Sequence, residues 1–192
     1  MPRWLLPLSL ALAMAAIACG EPPNKEMDQA LGAIEAARAA GAEQYAAGSF
    51  SAATDALTRS EEAVAAGDYR LALDNALTSR EQAQNAAREA ADTKARLRGE
   101  AERGLAELTA LVSQARSRVE AARAARVPQR TLRPLEAAIA TVDDDVQKAG
   151  AAIQAGDYQA IPALLDGAKA RIEDVLTELD AEATSQSARR RR

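Results

Sequence analysis

The stretch LRPLEAAIATVDDDVQKAGAAI, residues 132–153, decides the fold. Leu132, Leu135, Ile139, Val142, Val146, Ala149 and Ile153 recur in steps of three and four. A helix turns once in about 3.6 residues, so this spacing draws one narrow apolar stripe along a helix. The intervening Glu136, Asp143, Asp144 and Lys148 leave the other faces polar. The next segment repeats the pattern with Ile161, Leu165, Ala168, Ile172, Val175 and Leu179. Upstream, Ala72, Ala76, Ala83 and Ala90 hold matching positions, where alanine lets helices approach closely but buries little area. Seams of this coiled-coil type predict an all-α chain of elongated antiparallel helical hairpins and bundles.

The helical body repeats itself. Ile34-Glu35-Ala36-Ala37-Arg38-Ala39-Ala40 returns as Val119-Glu120-Ala121-Ala122-Arg123-Ala124-Ala125. Val64-Ala65-Ala66-Gly67-Asp68-Tyr69 returns as Ile153-Gln154-Ala155-Gly156-Asp157-Tyr158. Two matches in the same order point to a duplicated three-helix unit. Gly67 and Gly156 suit the left-handed residue that ends a helix, and Asp68 and Asp157 suit the cap of the next one. Pro128 marks a further break, with Thr131 as the expected cap and Pro134 in the first turn. Only Gly99 and Gly104 interrupt the stretch between the copies. One long helix from about Tyr69 to Arg126 is therefore expected, on the order of 85 Å if straight, with a bend at 99–104 as the competing reading.

Composition narrows the chemistry. The chain has 192 residues, 48% of them apolar but only 3% aromatic, with one cysteine and no histidine. Helices form readily from such a sequence, while the seams between them are thin. The commonest general base and the soft metal ligands are missing, so no enzyme, metal or cofactor is expected. Asp143-Asp144-Asp145 invites a cation-site reading. Adjacent helical residues diverge, however, and a solvated face is the expectation.

The front end reads as an export signal. Met1-Pro2-Arg3 is short and basic, and Trp4 to Ile17 is apolar apart from Ser9. The run is short for a bilayer span and is followed by Ala16-Ile17-Ala18-Cys19. These four residues resemble the bacterial lipoprotein box, in which the signal is cut before the cysteine and the cysteine is acylated. Leucine is commonest where Ala16 stands. The resemblance implies a covalent lipid, palmitate among its chains, on Cys19. Without it, the segment would be an ordinary export signal or a retained anchor helix. In a two-membrane host, Gly20 in place of Asp after the cysteine implies the outer membrane. Residues 1–18 are then the signal, 19–25 the lipidated tether, 26–98 and 99–183 the two helical units, and 184–192 a disordered basic tail.

A second resemblance covers residues 30–90. Ala33-Ile34, Ala37, Ala40-Gly41-Ala42-Glu43-Gln44-Tyr45-Ala46, Phe50, Ala53, Leu57, Asp68-Tyr69, Ala72 and Ala76 follow the pattern of the family called domain of unknown function 4398. That family usually has proline after Tyr-Ala, where this chain has Ala47-Gly48-Ser49. The resemblance implies a periplasmic lipoprotein and no particular activity.

Candidate binding residues are few. Tyr45, Tyr69 and Tyr158 lie near predicted turns, either as partner anchors or as plugs where alanine is too small. Arg189, Arg190, Arg191 and Arg192 could grip phosphate or anionic glycan, or merely keep the end soluble. Residues 91–133 carry ten basic and five acidic side chains, and 134–188 carry three and eleven. The two segments could pair with each other, or the basic one could face an anionic envelope polymer. The expected protein is a non-enzymatic envelope lipoprotein, a scaffold or adaptor facing the periplasm. Its membrane contact would be through lipid, its partner an envelope protein or the cell wall. A homodimer is compatible with the seams, and nucleic acid is not an expected partner. The alternative is a superhelical, tetratricopeptide-like binding module, although the 34-residue period of that family is absent.

Overall fold

The computed structural model describes residues 21–190, with side chains as far as Ala188. The expected signal over 1–18, Cys19, Arg191 and Arg192 lie outside the described residues. Six helices and no strand are found among the described residues: α1 Asn24–Ala39, α2 Ala42–Tyr45, α3 Ala47–Ala65, α4 Tyr69–Ala124, α5 Gln129–Ala155 and α6 Ile161–Arg190. No described helix is long and apolar enough to cross a membrane. The expected long helix is present as α4, whose 56 residues run without a break through Gly99 and Gly104. The chain divides after Thr93 into two compact units, and α4 contributes residues to each.

The first unit packs α1, α3 and the start of α4, with the one-turn α2 in the corner that Gly41 opens at φ 86°. Its interior is mostly alanine: Ala30, Ala37, Ala53, Ala56, Ala72, Ala76, Ala83, Ala86 and Ala90 have no exposed surface. Such small side chains let backbones close in, and two buried serines exploit the approach. Ser60 of α3 donates to the Ala72 carbonyl of α4 at 2.7 Å. Ser79 of α4 donates back to the Ala53 carbonyl of α3 at 2.8 Å. The reversed order of the two bonds shows that α3 and α4 run antiparallel. Asp68 caps α4 as expected, its Oδ1 accepting from the Leu71 N–H at 3.0 Å.

The second unit packs the remainder of α4 against α5 and α6 around larger side chains. Leu108, Val112, Val119, Leu132, Leu135, Ile139, Val142, Ile161, Leu165, Ile172, Val175 and Leu179 form one buried cluster. Nearly every residue of the two expected seams lies in it. Val146 and Ile153 are the exceptions, both only partly buried, and beside Val146 it is Asp145 that is buried.

Several expectations are corrected. α5 starts at Gln129, so Pro128 holds the cap position and Thr131 lies inside the first turn, its N–H bonded to the Pro128 carbonyl. Proline's fixed φ, −59° here, lets it lead into a helix without a capping hydroxyl. Pro134 is accordingly beyond the first turn and withdraws one intrahelical donor. Asp157 makes no capping bond among the described residues, because α6 starts four residues later, at Ile161. Tyr69 therefore opens a helix while Tyr158 lies in a link. Residues 184–190, expected to be disordered, continue α6. There the hydroxyls of Thr184, Ser185 and Ser187 bond to carbonyls one turn back, so the polar run need not break the helix.

Candidate functional site: the arginine end of the second unit

The turn between α4 and α5 closes in a recognisable way. Arg126 N–H bonds to the Arg123 carbonyl, and Val127 N–H reaches back to the Ala122 carbonyl. This paired closure recurs at Gly67-Asp68 and at Gly156-Asp157. In those two cases the left-handed residue is glycine, at φ 77°. Here it is Arg126, at φ 64°, the one non-glycine residue with positive φ among those described. A side chain in that conformation costs about 1 kcal/mol relative to glycine.

The chain then tucks Val127 into the core and turns through Pro128 into α5. The first turn of α5 has no acidic residue and no side-chain cap. Arg130 and Arg133 lie three apart near its start, on neighbouring positions of one face. Arg126, Arg130 and Arg133 are all exposed, and none has an ion pair among the described residues. Deeper along the unit several arginines are matched. Arg116 pairs with Asp143 and Arg118 with Asp180. Arg123 holds Glu120 and Glu136, each at 2.8 Å. The hydrogen bond with Glu136, helped by the charge of Glu120, holds the Arg123 guanidinium above its ordinary pKa. Asp143, Asp180, Glu120 and Glu136 are thus taken, and the three arginines of the turn are left without an ion pair among the described residues.

The end of α6 arrives at the same place. Leu179, Asp180, Ala183 and Gln186 line a groove with Ala121, Ala122, Ala125 and Val127. From Gln186 to Arg190 the helix advances only about 6 Å. The backbone of Arg189 and Arg190, two of the predicted site residues, is therefore at the end that carries Arg126, Arg130 and Arg133.

The predicted tyrosines are not brought together. Tyr45 is buried in the first unit and Tyr69 is half-buried at the start of α4. Tyr158 is half-buried against the core of the second unit, in the α5–α6 link at the far end of α5 from the arginine turn. The three aspartates diverge, but not as a wholly solvated face. Asp143 meets Arg116, Asp144 is exposed, and Asp145 is buried beside Arg171 at 2.7 Å and Lys148 at 3.2 Å. No group of acidic side chains suited to a metal ion occurs among the described residues.

Arg126, Arg130 and Arg133 went unmarked as a site in the sequence. The signal was the basic surplus over 91–133, but sequence alone does not separate arginines with carboxylate partners from those without. Fold and site define an all-α protein of two helical units, one of them ending in an arginine-rich turn. Comparison with family models, curated proteins and solved structures gives no match.

Proposed function

We propose that this chain is an exported lipoprotein of the bacterial envelope, held by acyl chains on Cys19, whose helical body serves as a scaffold or adaptor without catalytic activity. The observation that carries the reading is Ala16-Ile17-Ala18-Cys19 after an apolar run, with Cys19 the only cysteine of the chain. More than one acyl chain is needed for stable anchoring, and the lipoprotein class supplies that. Outer-membrane residence facing the periplasm, and likeness to the domain of unknown function 4398, belong to the same proposal. The build of the body adds support. Its helices meet along narrow seams, and its charged side chains join helices in matched pairs such as Lys169 with Glu107 at 2.6 Å.

The test is the mass of the N-terminal peptide from detergent-extracted protein, together with in-cell crosslinking from the second unit. The expected peptide begins at Cys19 and carries acyl mass, and Cys19→Ala releases the protein from membranes. A peptide that begins elsewhere, or carries no lipid, overturns the anchor. One crosslinked partner in fixed ratio supports an adaptor, and crosslinks to wall fragments or to self alone support a scaffold. Wall material degraded by the pure protein would overturn the non-catalytic reading.

A further inference from the structure

We propose that the arginine end of the second unit is a docking surface for anionic phospholipid, on which Arg126, Arg130 and Arg133 grip headgroup phosphates. The backbone of Arg189 and Arg190 reaches the same end. The inference deepens the envelope reading and takes from it only the nearness of a bilayer.

Four observations converge. First, three arginines remain without ion pairs at this end once Asp143, Asp180, Glu120 and Glu136 have taken their partners. The whole chain carries a net charge of −4, so attraction must act locally, within a screening length of roughly 8–10 Å. Second, the cations are all arginine, whose planar fork binds phosphate oxygens in pairs, rather than lysine. Third, Arg126 keeps a left-handed backbone where the two sister turns use glycine. Strain retained at one turn, on a residue whose side chain makes no ion pair among those described, points to a use for that side chain. Fourth, the adjoining first turn of α5 is free of acidic residues, so no carboxylate there offsets the arginines.

The same end argues against polymers read by stacking. Described aromatic residues lie in the first unit or, as Tyr158, at the far end of α5. Single-stranded nucleic acids are gripped largely on aromatic faces, and sugar rings commonly are too. A cluster of basic side chains without such faces suits a headgroup layer, where each contributes about the same small attraction.

The experiment uses the chain from Gly20 onward, which keeps all six helices and has no lipid. Its flotation is measured with vesicles of phosphatidylcholine alone and of phosphatidylcholine mixed with phosphatidylglycerol. Binding is expected to the mixed vesicles only, and to weaken as salt rises. The triple variant Arg126→Gln, Arg130→Gln, Arg133→Gln should bind on the order of a hundredfold more weakly. The charge-matched variant Arg59→Gln, Arg70→Gln, Arg103→Gln should bind as the parent does. Arg126→Gly separates stability from binding: its thermal midpoint should rise by about 2–4 °C, while vesicle affinity falls about fivefold. Equal binding to neutral vesicles, no binding to either, or equal loss in both triple variants would overturn the proposal. Displacement by millimolar inorganic phosphate would also overturn it, by showing a site for free phosphate. Because this chain lacks the anchor, the outcome is independent of whether Cys19 is acylated.

Discussion

Asp145 is a carboxylate in an apolar seam, 5% exposed, where the sequence pattern favours Val146. Its partners, Lys148 and Arg171, reach it from more exposed positions. Taking a carboxylate out of water is costly, and pairing with cations that keep much of their hydration returns only part of that cost. Asp145→Leu is therefore expected to be neutral or to stabilise by up to about 1 kcal/mol. By contrast, Arg171→Ala, which leaves the buried charge with Lys148 alone, should destabilise by about 1 kcal/mol. Urea unfolding of the two variants checks both signs. A large loss from Asp145→Leu would mean that the ion pair, and not the seam around it, holds α5 against α6.

Two glycines of α4 look alike in sequence and differ at the level of the element. A side chain added at Gly99 would meet only the flexible end of Arg103, at 3.4 Å. One added at Gly104 would lie 2.8 Å from Leu165 Cδ1, on a buried side chain of α6. Gly99→Ala should stabilise by about 0.8–1 kcal/mol, the ordinary gain of replacing a helical glycine. Gly104→Ala should lose that gain, or destabilise by about 1 kcal/mol, because Leu165 must leave its packed position. Thermal unfolding of the pair is the measurement, and equal stabilisation by both would remove the close approach of α4 and α6. Read in sequence, both glycines were only possible bends, because nothing in a single helix's pattern shows which neighbour comes near.

The two units of the whole molecule bury different material. The first relies on alanine and the Ser60 and Ser79 hydrogen bonds, the second on leucine, isoleucine and valine. A buried leucine or isoleucine contributes about 1.5–3 kcal/mol, far more than an alanine methyl. The amides of 53–63 and 72–90 should therefore exchange hydrogen faster than those of 108–119 and 132–149. Equal protection across both sets would mean that the chain opens as one cooperative body and that seam size does not set local stability.

The sequence by itself determined the helical class, the seams of α5 and α6, and the glycine turns at 67 and 156. These are legible because they depend on neighbours within a turn or two: periodicity selects a face, and glycine selects a left-handed turn. Other features depend on residues far apart in the chain and were decided only by the tertiary structure. Ser60 and Ser79 read as ordinary polar residues until α3 and α4 came close enough for their hydroxyls to reach the opposite backbone. Asp145 read as part of a wet face until packing turned it inward. Arg126, Arg130 and Arg133 became distinct from Arg116, Arg118 and Arg123 only when α5 and α6 brought carboxylates to the second set and none to the first. Charge is written in the sequence, but its neutralisation depends on distance, and that distance is set by the fold.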